Sequence, residues 1–373
     1  TPTKTYKVKV VADSTDYGHG SGANKYQFFK SDGTTGFGTN GVDIDLQEGG
    51  TYVFDWSDSS AQGHPIRFSL TNDGTHSSGT SAGSEYTTGV TKNDSAYTTT
   101  ITVASGVANL YYYCQNHSGM GAEVRTNTTH GSTNFDGSIL SVEQRNTTAG
   151  FSIVTYTGTR SSDGGETGTP TTIGHGLGTK PSMVITKARD STTYGNWNVW
   201  HPGYQPDQTY LNYQLWLNLT SASNNAGWQR TDTGFTTTTF CPARYAWDDV
   251  SGIDYVAYCF AEVEGYSKFG SYTGNGNADG AFVFTGFRPA WVMVKRTDGV
   301  VSWNVADSTR SPHNLVDEQV QPNLSNAENL FFDYDFLSNG FKIRTSDSSK
   351  NASGGTYIYM AFAENPFKYA NAR

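Results

Sequence analysis

The sequence predicts an all-β fold, and three of its features carry that expectation. Aromatic residues make up 14% of the chain, with 23 Tyr, 20 Phe and 8 Trp, and aromatic and β-branched side chains favour the pleated, half-buried surface of a strand. Gly is the other excess, at 42 residues, set among many Thr, Ser and Asn that suit the turns between strands. No stretch keeps an apolar period of 3.6 for three turns, so almost no helix is expected. At 373 residues there is room for two or three domains, each with its own core.

Along the first third, short strands alternate with turn clusters. Tyr6, Val8 and Val10 alternate with Lys7 and Lys9, and Val42, Ile44 and Leu46 alternate with Asp43 and Asp45, giving one apolar and one wet face in each case. The segments 51-TYVFDW-56, 64-HPIRFSL-70, 97-YTTTITV-103 and 109-NLYYYC-114 follow. The stretch 126-TNTTHGSTNFDGS-138 is polar and unpatterned, which predicts a linker. The expected organisation is therefore a first domain over 1–126, a linker over 127–149 and a second domain over 150–373.

The second domain repeats itself. The segment 155-TYTGT-159 matches 271-SYTGN-275, 181-PSMVITKARD-190 matches 289-PAWVMVKRTD-298, 196-NWNVW-200 matches 302-SWNVA-306, and 255-YVAYCFAE-262 matches 357-YIYMAFAE-364. The offset falls from 116 for Tyr156 and Tyr272 to 102 for Tyr255 and Tyr357, so the second copy has shorter loops. Repeats over 151–264 and 268–365 are expected to close face to face into one sandwich, since two copies are too few for a solenoid. Glu262 and Glu364 recur as repeat equivalents, which points to a shared structural role rather than to a catalytic carboxylate pair.

The strongest chemical signal lies in 111-YYYCQNHSGMGAEV-124, where Cys114, His117 and Met120 are spaced Cys-x2-His-x2-Met, with His64 fifty residues before the cysteine. One thiolate, two imidazoles and a thioether form the soft ligand set of a copper site. The stretches 49-GGTYVFDWSDSSAQGHPIRF-68 and 111-YYYCQNHSGMG-121 resemble the two ligand clusters of cupredoxins of the plastocyanin and amicyanin type. That resemblance implies an eight-strand Greek-key sandwich over roughly residues 5–125, with His64, Cys114, His117 and Met120 as the copper ligands. One position departs from the pattern. Cupredoxins usually follow the first histidine with a residue whose amide bonds the cysteine sulfur, and here that residue is Pro65, which has no N–H.

Other signals are weaker. The run 79-GTSAG-83 has the spacing of a nucleophile elbow but lacks the flanking strand and helix that the motif needs. His175 lies in a Gly-rich turn and reads as structural, and Asp248 and Asp249 read as a solvated turn. Trp200, Tyr204, Trp228 and Trp247 have no repeat partner and are candidates for stacking on sugars, whereas Trp197 and Trp303 correspond and are assigned to the core.

The net charge of −9, with only 25 Lys and Arg, argues against nucleic acid as a partner. No run approaches the ~18 apolar residues of a membrane span, so no membrane insertion is expected, and the first residues show no signal-peptide core. Finally, 262-EVEGYSKFGSYTGNGNADGAFVFTGFRPAWVMVKRTD-298 and 355-GTYIYMAFAENPFKYANAR-373 resemble repeat domains of virion proteins from marine bacteriophages, which are similar to concanavalin-A-like lectin sandwiches. The resemblance implies a lectin-like second domain and a non-enzymatic, extracellular protein of the virion surface or tail appendage. Its implied partners are further copies of itself, other virion proteins and host-surface glycans. The alternative expectation is a secreted copper protein whose redox domain is tethered to a carbohydrate-binding domain.

Overall fold

The computed structural model of the chain describes residues 2–77, 83–128, 131–160, 171–204, 213–225, 234–242 and 248–365. The described residues are nearly all strand and loop, with one short α-helix, Ser348–Asn351. Two units divide the chain, Thr1–Gln144 and Arg145–Arg373.

The first unit holds β1 (Thr3–Ala12), β2 (Asn24–Phe28), β3 (Ile44–Gln47), β4 (Thr51–Asp55), β5 (Ile66–Ser69), β6 (Val90–Asn93), β7 (Thr98–Thr102), β8 (Leu110–Cys114) and β9 (Ala122–Asn127). These nine strands, one more than the resemblance implied, form a five-stranded sheet β2-β1-β4-β7-β6 and a four-stranded sheet β3-β9-β8-β5. Alternation works as expected at Tyr6 and Val8 of β1, and β4 shows it as well, with Tyr52 and Phe54 buried. They meet Ile44, Leu46, Ile66, Phe68, Leu110, Tyr112 and Val124 from the other sheet in one core. Asp45, expected on a wet face, is buried instead. Arg125 of β9 pairs with it at 3.0 Å, and Thr133 accepts its backbone N–H at 2.7 Å, so the charge is compensated where it enters.

The expected linker is structured. It contains β10 (Ser132–Asn134) and β11 (Ser141–Asn146), which pair as a hairpin. Phe135 explains why this polar stretch docks: its ring stacks on Phe28 at 4.5 Å and meets Tyr6 edge-on at 5.5 Å. Glu143 is buried beneath it and pairs with Lys4 at 2.7 Å. Leu140 packs on the same core, and the Tyr6 hydroxyl donates to the Thr133 carbonyl at 2.9 Å, so several contacts anchor a segment whose composition reads as loop.

The second unit continues with β12 (Phe151–Thr157), β13 (Ile173–Gly174), β14 (Met183–Ala188), β15 (Asn198–Trp200), β16 (Tyr213–Trp216), β17 (Asn224–Asn225), β18 (Thr239–Phe240) and β19 (Asp254–Phe260). After these come β20 (Ser267–Thr273), β21 (Phe282–Phe284), β22 (Pro289–Arg296), β23 (Asn304–Asp307), β24 (Val316–Val320), β25 (Asn329–Leu337), β26 (Gly340–Ile343) and β27 (Thr356–Ala363). The order runs β12-β19-β14-β15-β16-β17 in the first part and β20-β27-β22-β23-β24-β25-β26-β21 in the second.

Strand partners and local contacts recur between the two parts. Tyr156 faces Tyr255 across β12 and β19, and Tyr272 faces Tyr357 across β20 and β27. Both pairs stack, at 5.3 and 4.8 Å. Tyr156 donates to the Asp248 carbonyl at 2.7 Å and Tyr272 to the Lys350 carbonyl at 2.8 Å. Asn218 accepts the N–H of Trp197, and Asn323 that of Trp303, each at 2.9 Å.

A single two-layer sandwich does not describe this unit. Met183, Ile185, Val199 and Leu215 of the first part do pack against Met293, Trp303, Val305, Ile358 and Met360 of the second. The second part also encloses a core of its own, with Val292, Val294, Tyr357, Tyr359 and Ala361 against Tyr334, Phe336, Phe341 and Ile343. Strand β27 therefore sends Ile358 and Met360 to one core and Tyr357, Tyr359 and Ala361 to the other. A strand buried on both faces has no polar side to show, which is why 357-YIYMAFA-363 is an unbroken apolar run.

Candidate metal centre

The site is built by the pairing of β5 with β8. Their antiparallel register sets Ile66 opposite Cys114, and the amide of Gln115 extends the ladder by donating to the Pro65 carbonyl at 2.9 Å. His64, just before β5, is thereby held beside Cys114 at the end of β8. The Asn116 side chain ties the two segments again by donating to the Gly63 carbonyl at 3.0 Å. Beyond Cys114 the chain turns and brings back His117. The result is a trio whose ligand atoms all lie within 4.8 Å of one another. The Nδ1 atoms of His64 and His117 are each 3.6 Å from the Cys114 sulfur. The sulfur is buried, His64 is half-buried and His117 is exposed. Met120 completes the loop with its side chain in the core of the unit and its carbonyl accepting the Tyr26 N–H at 3.0 Å.

Four residues that the sequence reading did not single out brace this loop. Lys25, itself buried, donates to the Gly119 carbonyl at 2.5 Å and to the Gly20 carbonyl at 3.2 Å. Asp73 accepts the Gly119 N–H at 2.9 Å. His76 Nε2 lies 2.9 Å from the Cys114 carbonyl, and the Tyr26 hydroxyl donates to the His64 carbonyl at 2.6 Å. Gly119 has φ +68, and a Cβ there would stand 2.6 Å from the Gly22 amide nitrogen. Only glycine lets the loop lie this close to the 20–22 segment.

Burial raises the pKa of the Cys114 thiol overall, against a smaller opposing pull from the Asn116 amide. Burial and the neighbouring His117 lower the pKa of His64, which keeps its imidazole neutral with a lone pair free for a metal. The spacing fits as well. An ion about 2.0–2.1 Å from each nitrogen and about 2.3 Å from sulfur sets N···S separations of roughly 3.5–3.8 Å between tetrahedral and trigonal angles. Both observed separations fall in that range, so the residues fit a single soft cation.

The remaining candidates fare differently. Trp200 and Tyr204 are buried, at 2% and 6% exposure. Trp200 stacks on Phe235 at 3.9 Å, and Tyr204 donates to the Val199 carbonyl at 2.7 Å. Enclosed rings offer no face to a sugar, so the glycan-stacking expectation fails for these two residues. Trp228 and Trp247 lie outside the described residues, as do residues 79–82 of the 79-GTSAG-83 run. Trp303 is buried and Trp197 packs, half-buried, against the same core. Asp248 and Asp249, expected in a solvated turn, are buried. Arg160 pairs with Asp249 at 3.0 Å, and Thr186 donates to Asp248 at 3.3 Å. Glu262 pairs with Lys268 at 2.6 Å and Glu364 with Arg288 at 3.0 Å.

No curated protein matches the chain. One family model does, over residues 122–366, a span that begins after the last of the candidate ligands. That span is well over half of the sequence, and the chain belongs to the family described as a domain of unknown function, DUF7483.

Proposed function

We propose that this is a non-enzymatic, extracellular copper-binding protein, with a cupredoxin-type first unit and a lectin-like, duplicated second unit. The observation that carries the reading is the pair of equal 3.6 Å separations between the Cys114 sulfur and two imidazole nitrogens. His64 and His117 would hold the ion through Nδ1 and Cys114 through its thiolate, with the Met120 thioether as the fourth donor that the motif offers. Copper bound there supplies one-electron redox chemistry or is simply sequestered. The chain's own residues do the rest. β5 and β8 fix the sulfur and His64, burial keeps water from the sulfur, and exposed His117 gives the ion a way in. Adding Cu(II) to the full chain tests this. The expected result is an intense visible thiolate band that saturates at about one equivalent and is lost in Cys114→Ser. No band, or the same band in Cys114→Ser, overturns it.

Location is a separate part of the proposal. The phage-like stretches 262–298 and 355–373 support a virion surface or tail appendage, where the second unit would serve particle assembly or host attachment as a homo-oligomer. Mass spectrometry of purified particles and light scattering of the chain test it. A monomer absent from particles counts against it.

A further inference from the structure

A lysine on the core side of a strand has to be compensated. Lys4 shares the side of β1 that carries Tyr6 and Val8, whereas Lys7 and Lys9 take the other, and only 12% of its side chain is exposed. Its Nζ lies 2.7 Å from Glu143 Oε1, on a side chain that is 1% exposed, and donates to the Thr133 carbonyl at 2.8 Å. The other oxygen of the same carboxylate, Oε2, accepts the side-chain N–H of buried Asn134 at 2.8 Å. Asn134 Oδ1 in turn accepts the Asp136 N–H at 2.8 Å. The β10–β11 register sets Ser132 opposite Glu143, which puts Asn134, two residues along, on the same face. Aromatic side chains stand beside the group. The Tyr6 ring centroid is 5.8 Å from Nζ, and Tyr52 is the partner of Lys4 in the β1–β4 register. One enclosed carboxylate therefore bridges an amine and a carboxamide whose carbonyl an N–H already polarises.

We propose that Lys4 and Asn134 join in an intramolecular amide, with Glu143 as the general base and acid. Low polarity around the pair favours transfer of a proton from Nζ to Glu143, since burial penalises both charges. The neutral Nζ attacks Asn134 Cγ, and the Asp136 N–H stabilises the oxygen of the tetrahedral intermediate. The carboxyl group then passes a proton from the attacking nitrogen to Nδ2. The Cγ–Nδ2 bond breaks, ammonia leaves and takes the remaining proton as ammonium, and Glu143 ends as the carboxylate it began as. Nothing is oxidised or reduced. The bond fastens the first strand of the unit to the hairpin that follows its last, and it does not depend on the copper reading.

The test is mass spectrometry of the purified full chain, intact and after tryptic digestion. The expected result is a loss of about 17 Da, the mass of ammonia, carried by a branched peptide that joins Lys4 to Asn134. Lys4→Arg keeps the charge beside Glu143 but cannot form the amide, and it should restore the full mass and slow migration on a denaturing gel. Glu143→Gln cannot take up the proton and should slow bond formation by about 100-fold or more, with circular dichroism as the check on folding. Unmodified Lys4 and Asn134 peptides from the wild type overturn the inference, and this outcome is decisive even if Glu143→Gln does not fold. A loss of about 17 Da confined to an Asn-Gly pair such as Asn40-Gly41 also overturns it, because succinimide formation expels ammonia as well. So does a link between Lys4 and Glu143, which would expel water instead. A folded Glu143→Gln chain that is linked as fully as the wild type removes the role given to Glu143.

Discussion

The same residue types do different work in the two units. In the first, His64, His117 and Cys114 come from two strand ends and turn their donor atoms toward one point. In the second, His175 and His201 are both buried, and each closes a local turn. His175 Nδ1 accepts the Leu177 N–H at 3.1 Å, and His201 Nδ1 accepts the Gly203 N–H at 2.9 Å. Cys241 is likewise committed to a backbone carbonyl, that of Pro242, at 3.3 Å. A histidine or cysteine in a sequence therefore says little by itself. Convergence of several such groups on one point is what distinguishes a ligand from a turn-closing side chain.

That contrast can be broken or sharpened by substitution. The largest effect is expected from His117→Ala, which removes the exposed member of the proposed ligand trio. It should abolish tight copper binding with little change in stability, as read by optical titration and thermal melting. His175→Ala should leave copper binding intact. A second large effect concerns the anchor of the β10–β11 hairpin. Phe135→Ala should destabilise the first unit by about 3–5 kcal/mol, measured by denaturant unfolding. A cost below about 1 kcal/mol would mean that the hairpin is not part of that unit's core.

An intermediate effect is expected from pH. Burial lowers the pKa of His201 to about 4, whereas an unfolded histidine titrates near 6.5. Between these values the unfolded chain takes up a proton that the folded chain refuses. The stability this site contributes is therefore complete above about pH 6.5 and lost as pH falls toward 4, by roughly 3 kcal/mol. The difference in melting temperature between wild type and His201→Asn should shrink across that window; a constant difference would show that His201 is not held neutral. The smallest effect tests the recurrence within the second unit. Tyr156→Phe and Tyr272→Phe each remove one hydrogen bond to an equivalent carbonyl and should each cost about 1 kcal/mol. Costs that differ severalfold would show that the paired contacts are not energetic equivalents.

Much of this was legible in the sequence because it is local. The Cys-x2-His-x2-Met spacing needs only one loop, and His64 lies next to a strand whose pairing partner ends at Cys114. The apolar runs of β19 and β27 likewise marked the recurrent strands. Long-range contributions were hidden. Lys25 and Tyr26 lie in β2, a five-residue strand whose buried Lys25 breaks the apolar signal, and nothing near them in sequence points to a loop ninety residues away. Phe135 is a lone aromatic in a polar stretch, so its docking could not be read from composition. Trp200 and Tyr204 misled for the opposite reason. Their polar neighbours suggested exposure, but Phe235 and the Val199 carbonyl enclose them.

X-ray absorption at the copper edge of the loaded full chain tests the central claim most directly. The account predicts one sulfur at about 2.2–2.3 Å and two imidazole nitrogens at about 2.0 Å, with the sulfur lost in Cys114→Ser. A shell of oxygen and nitrogen only, unchanged by that substitution, would contradict it.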